Sequence, residues 1–212
     1  MSAGATTPFD SAQQRAEAAQ LGIWVFIASE LVFFGPLFAG YVYARVHLAD
    51  AFVAAARHTE VAIGTANTAV LLTSSFFMAL AVEAYKARST ALARRALLLT
   101  AGLGCVFLAL KGYEYWSEWQ EHLVPGAHFA FGQAQRGGAE IFFYLYFALT
   151  GVHALHLAVV MAVVLALRSL SRNAADRALC AERLEVAALY WHFVDAVWIF
   201  LYPMLYLVGR AS

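Results

Sequence analysis

The chain is poor in the residues that build soluble enzymes. Charged side chains make up only 13% of its 212 residues, and 62% are apolar. A soluble domain carries about 25% charged and about 45–50% apolar residues, so this composition belongs to an integral membrane protein. Cysteine is nearly absent. The two present, Cys105 inside an apolar run and Cys180 in a polar stretch, have no metal-ligand spacing and suggest no disulfide. Net charge is absent too, with 14 basic against 14 acidic residues, which argues against nucleic acid as a partner. No phosphate-binding glycine loop or nucleophile motif occurs. The first 20 residues are polar (Gln13, Gln14, Arg15, Glu17, Gln20) and lack the short apolar core of a cleaved signal peptide.

Long apolar runs are what the chain has instead. Five are long enough to cross a bilayer as helix, which takes roughly 20 residues. They cover about 21–44, 61–82, 96–115, 140–167 and 186–208, and predict an all-α bundle of five transmembrane helices in one membrane domain, residues 1–212. The loops are then 45–60, 83–95, 116–139 and 168–185. The short 45–60 loop predicts that spans one and two are antiparallel neighbours. Arg15, Lys86, Arg88, Arg94, Arg95, Arg168, Arg172, Arg177 and Arg183 fall on one side, and Arg45, Arg57, Arg136 and Arg210 on the other. This bias predicts a cytoplasmic amino terminus and a periplasmic carboxyl terminus.

Small polar and breaker residues suggest helix contacts. Gly35-Pro36 predicts a kink or close approach in span one. Gly102 and Gly104 predict contacts in span three, and Asn67-Thr68 and Thr73-Ser74-Ser75 predict interhelical hydrogen bonds in span two. Lys111, near the end of span three, is expected to snorkel to the interface. Glu118, His122 and His128 are expected in a solvated interfacial loop, without the tight spacing of a metal site.

Besides Lys111 and Glu114 near the end of span three, ionisable residues well inside the apolar runs are Glu30, His153, His156, His192 and Asp195. Such intrusions cost roughly 2.5–3.5 kcal/mol each on insertion scales and normally face protein or water. At 1.5 Å rise per residue, Glu30 and Asp195 lie roughly 13–14 Å and His156 roughly 16–17 Å from the cytoplasmic face. His153 lies a turn farther out, and His192 at about 9 Å. Matched depth pairs Glu30 with His156. The three-residue spacing pairs His192 with Asp195 on one helix face. These contacts either fix the packing of the bundle or form a site that takes up and releases a proton. Haem ligation fits badly, since His153 and His192 differ by roughly 12 Å in depth.

The segments Trp24-Val25-Phe26-Ile27-Ala28-Ser29-Glu30, Lys111-Gly112-Tyr113-Glu114-Tyr115, Thr150-Gly151-Val152-His153-Ala154-Leu155-His156 and Tyr190-Trp191-His192-Phe193-Val194-Asp195-Ala196-Val197-Trp198 carry a resemblance. With Asn67-Thr68 and Thr73-Ser74-Ser75 they occur one per span, in the order found in subunit III of the haem–copper oxidases. The resemblance implies a non-redox subunit of a proton-translocating cytochrome c oxidase in the bacterial inner membrane. Such a subunit binds no haem or copper itself, packs on catalytic subunit I beside subunit II, holds phospholipid, and supports proton uptake and sustained turnover. It also implies that Glu30 is the family's carbodiimide-reactive glutamate, with its histidine neighbour in the Thr150–His156 motif. Relative to the seven-helix mitochondrial form the first two spans are missing, as in bacterial five-span members. Quinol oxidase members tend to have aspartate at the Glu30 position, so glutamate points to the cytochrome c side. Phe142-Phe143-Tyr144-Leu145-Tyr146-Phe147 looks instead like the five-span accessory protein of nitric oxide reductase systems, the alternative reading. A small proton-coupled transporter is a more distant one, because the chain shows no inverted repeat.

Overall fold

A computed structural model describes residues 12–171, 177–208 and 210. Arg172 and residues 1–11 of the polar arm lie outside the described residues, as do the side chains of Gln13, Arg15 and Arg177. Six helices and no strands occur among the described residues: α1 (Ala12–His47), α2 (Ala49–Ala56), α3 (Val61–Lys86), α4 (Thr90–Gln120), α5 (Arg136–Leu170) and α6 (Arg177–Tyr202). All except α2 are long and apolar enough to cross a membrane, in agreement with the five-span all-α expectation.

The helices overrun the apolar stretches that predict them. α4 begins at Thr90 and ends at Gln120, so Trp116, Glu118 and Trp119 are helical rather than loop residues. Averaging hydropathy along the chain hides this, because α4 is two-faced at its end. Tyr113, Trp116 and Trp119 are exposed, while Lys111, Glu114 and Glu118 point inward. Just past its end His122, with a φ of +56°, closes a left-handed cap. There Leu123 N–H donates to the Glu118 carbonyl at 2.9 Å and His122 N–H to that of Trp119 at 3.1 Å. Arg88, φ +63°, closes α3 in the same way. The predicted 83–95 loop therefore shrinks to the residues between Lys86 and Thr90.

Helices α3, α4, α5 and α6 form a closed ring in which each touches the next. Trp191 and Trp198 of α6 fill its interior with Phe107, Leu71, Met78 and Leu97. A buried indole needs an acceptor for its N–H. Trp191 Nε1 donates to Ser74 Oγ at 3.2 Å and Trp198 Nε1 to Thr68 Oγ1 at 3.1 Å. Thr68, Ser74 and Ser75 thus serve interhelical hydrogen bonds as expected, whereas Thr73 bonds to the Ala69 carbonyl of its own helix and Asn67 is buried with neither amide atom hydrogen-bonded.

α1 lies outside the ring, packed chiefly on α5 and α6 rather than on α3. The expected pairing of spans one and two fails because the connection between them folds. Residues 49–56 are rich in alanine, a strong helix former, and make α2, which buries Ala51, Phe52, Ala55 and Ala56. α2 packs on α5 at Gly138, where a Cβ would stand 2.5 Å from that of Ala51. α1 runs unbroken through Pro36, and Gly35 has no neighbour within 4 Å of where a Cβ would lie. Gly102 is equally open, whereas Gly104 faces Trp191 and Met161, so only one of the two span-three glycines makes a contact.

After α6 comes a wide π-type turn, Pro203–Leu207. Pro203 has no N–H to continue the α-helical ladder, which favours a change of register there. The turn buries Leu205 and Tyr206, and Tyr41 of α1 donates its hydroxyl proton to the Met204 carbonyl.

Candidate functional site

Glu30 of α1 and His156 of α5 meet where α1 lies against the ring, with His156 Nε2 and Glu30 Oε2 2.8 Å apart. The other ring nitrogen, Nδ1, is 2.8 Å from the Val152 carbonyl. A carbonyl only accepts, so Nδ1 carries a proton and Nε2 faces the carboxyl. The contact between Nε2 and Oε2 then holds one proton, which can reside on either atom. Phe34 and Phe33 stand beside the imidazole with ring centroids at 5.4 and 6.3 Å. Both polar side chains keep a small exposed fraction, 14% for Glu30 and 16% for His156. This proton therefore sits at the margin of the molecule, among aromatic rings.

Of the remaining candidate residues Asp195 shares the depth of this pair, and none joins it in a cluster. His153 stacks on Trp198 at 5.2 Å across the α5–α6 contact. With the two helices antiparallel, that register sets His156 level with Asp195, as the depth arithmetic expects. The two nevertheless face different ways, His156 toward α1 and Asp195 toward α3. Asp195 lies beside Ser75 and Trp191. His192 Nδ1 bonds to Ser75 Oγ at 2.6 Å, so the expected His192–Asp195 partnership is replaced by contacts to α3. A residue three positions along a helix competes poorly with a hydroxyl supplied by a packed neighbour. His153 is buried edge-on to Phe107 at 5.5 Å, and neither of its ring nitrogens has a hydrogen-bond partner.

A second polar centre lies deeper, and the sequence reading missed it. Lys111 does not snorkel: it is 2% exposed. Its ammonium donates to Glu114 Oε2 at 2.9 Å, Tyr146 OH at 2.7 Å and Tyr206 OH at 2.6 Å. Tyr206 in turn donates to Glu114 Oε2 at 2.9 Å. The ammonium also lies 4.3 Å from the Tyr146 ring centroid and 5.7 Å from that of Trp198, so cation–π attraction supplements the hydrogen bonds. Glu118, expected in solvent, is buried next to the Tyr146 hydroxyl. The missed signal is the spacing of Lys111, Glu114 and Glu118 at i, i+3 and i+7, which puts all three on one helix face. Tyr206 could not be read the same way, because the π-type turn that delivers it breaks the helical register.

Among the described residues no group of three or more His, Cys, Asp or Glu side chains is placed to hold a metal ion. His122 and His128 line a surface hollow with Trp119 and Pro125. Cys180 is buried, and the Cys105 thiol lies 3.6 Å from Met161 Sδ.

Comparison with known proteins matches the same framework. Cytochrome c oxidase subunit 3 of Thermostichus vulcanus is 30% identical over 210 residues, covering 99% of this chain and 96% of the relative. A probable quinol oxidase subunit 3 of Staphylococcus aureus is 29% identical, with 96% of each chain covered. A heme-copper oxidase subunit I+III of Aeropyrum pernix is 31% identical over 193 residues, which are 88% of this chain and 22% of that longer protein. The family profile described as cytochrome c oxidase subunit III matches residues 3–210. Five membrane-length helices, a glutamate–histidine pair joining the first to the fourth, and a match along nearly the whole chain lead to one conclusion: the chain belongs to the cytochrome c oxidase subunit III family.

Proposed function

We propose that this protein is the non-redox third subunit of a bacterial haem–copper oxidase of the cytochrome c type. It packs against catalytic subunit I beside subunit II in the inner membrane, amino terminus inside, and supports proton uptake and sustained turnover. The observation that carries the reading is the Glu30–His156 contact, a single-proton pair at the exposed margin of the bundle. The Aeropyrum pernix relative, whose name joins subunits I and III in one chain, supports an association with subunit I. Identity to the cytochrome c and quinol oxidase relatives is nearly equal, so glutamate rather than aspartate at position 30 is what favours the cytochrome c branch. Haem and copper belong to the partner subunits.

An apolar cleft of about 430 Å³ between α1, α5 and α6 suits a phospholipid chain. Ile23, Phe26, Val163 and Leu167 line it, and Arg183 is placed for a phosphate. In the aromatic stretch that resembles the nitric oxide reductase accessory, Phe142, Phe143 and Tyr146 are fully buried and serve the packing of the bundle, while Tyr144 is exposed.

The test is affinity purification of the tagged chain in mild detergent, with a visible spectrum and identification of co-purifying chains. Haem and copper arriving with a large polytopic subunit and cytochrome c oxidase activity support the proposal. Quinol oxidase activity moves the chain to that branch. A colourless chain without partners overturns the proposal.

A further inference from the structure

The centre around Lys111 does not balance its charge. Two carboxyls, Glu114 and Glu118, share one ammonium, and all three side chains are buried. The donors can be followed one by one. The three ammonium protons of Lys111 go to Glu114, Tyr146 and Tyr206. The Tyr206 proton goes to Glu114. The Tyr146 hydroxyl, already an acceptor from Lys111, lies beside both Glu118 and the Tyr206 hydroxyl, and its one proton can serve only one of them. Glu114 Oε1 and both carboxyl oxygens of Glu118 are left buried without a hydrogen-bond partner. A buried carboxylate oxygen without a donor is costly, and so is an unbalanced charge inside an apolar bundle.

One proton relieves both. We propose that Glu114 and Glu118 share a single bound proton at neutral pH, making this centre a second protonatable site of the bundle. It is separate from Glu30–His156: Tyr146 precedes His156 by ten positions on α5, roughly 15 Å along the helix axis. The groups facing the carboxyls are Lys111 and Tyr115 of α4, Tyr146 of α5 and Tyr206 of the π-type turn, with Glu121 farther along α4. The only cation among them already binds Glu114. The site does not depend on which oxidase the chain serves.

Infrared spectra of the purified full-length chain in H2O and D2O test this. The protonated-carboxyl stretch, which shifts in D2O, should lose about one carboxyl's intensity in either Glu118→Gln or Glu114→Gln, whichever residue holds the proton. Lys111→Met should raise that intensity, because both carboxyls are then neutralised by protons. Glu118→Gln is nearly isosteric and should fold even where Lys111→Met does not. If both glutamine variants lose only ionised-carboxylate intensity, the shared proton does not exist. A melting temperature that depends on sodium, with no protonated-carboxyl band lost, assigns the site to a metal cation and equally overturns the proposal.

Discussion

His156 donates from Nδ1 to the Val152 carbonyl and thereby turns Nε2 onto Glu30, 2.8 Å away. A carbonyl of the histidine's own helix thus fixes which nitrogen meets the carboxyl, and α1 is held to α5 through one polar contact in an apolar interface. A double-mutant cycle of Glu30→Ala and His156→Ala should give a coupling of roughly 1.5–3 kcal/mol, the range for hydrogen bonds to charged groups. Thermal unfolding in detergent measures it, and strictly additive losses would mean that the two residues act independently.

Function separates from packing at the same pair. Glu30→Ala is expected to leave the chain associated with its oxidase partners while shortening the number of turnovers before inactivation. Prolonged oxygen-consumption traces of the purified complex give the answer. Traces indistinguishable from wild type would reduce Glu30 to a packing contact.

Removing the cation from the deeper centre should be far more damaging than cutting the surface bridge Lys86–Glu185, whose side chains are about half exposed. Lys111→Met leaves Glu114 buried without its partner and should destabilise by about 3–5 kcal/mol. Adding Glu114→Gln should recover much of that loss. Denaturation of the single and double variants decides it, and a double variant no better than the single would speak against an ion pair.

Gly138 marks how closely α2 lies on α5. Gly138→Ala puts a methyl group 2.5 Å from the Ala51 Cβ, where both neighbours are backbone-anchored and must shift. A cost of roughly 1–3 kcal/mol, typical of overpacking, is expected. Protease accessibility of residues 49–56 should rise with it.

Arg88 offers a change in the other direction. It holds a φ of +63° in the turn between α3 and α4, a conformation that costs L-residues roughly 1–2 kcal/mol. Arg88→Gly should raise the melting temperature by a few degrees, partly offset by the greater entropy of glycine in the unfolded chain. An unchanged or lower melting temperature would show that the Arg88 side chain stabilises the turn enough to cancel the strain.

Hydropathy alone was enough to read the five spans, because each is an apolar run of membrane length. It could not read α2, whose alanines look like loop filler until α5 is there to bury them. Depth arithmetic was enough to pair Glu30 with His156, since both residues sit where lipid would penalise them alone. The same arithmetic misassigned Lys111: depth along a helix says nothing about the face, and the inward face of α4 stays polar to its end. His192 and Asp195 went astray for a related reason. Spacing on one helix identifies possible partners, but Ser75 arrives from a helix more than a hundred residues away.

The position of α1 outside the ring bears on how the protein is made. α1 finds its seats on α5 and α6, which follow it in the chain by about a hundred residues or more. Domains and segments emerge N-terminus first, so α1 must wait in the bilayer with Glu30 unpaired until His156 arrives. The Glu30–His156 contact can therefore form only after α5 has been made, and it fastens α1 to a helix far along the chain.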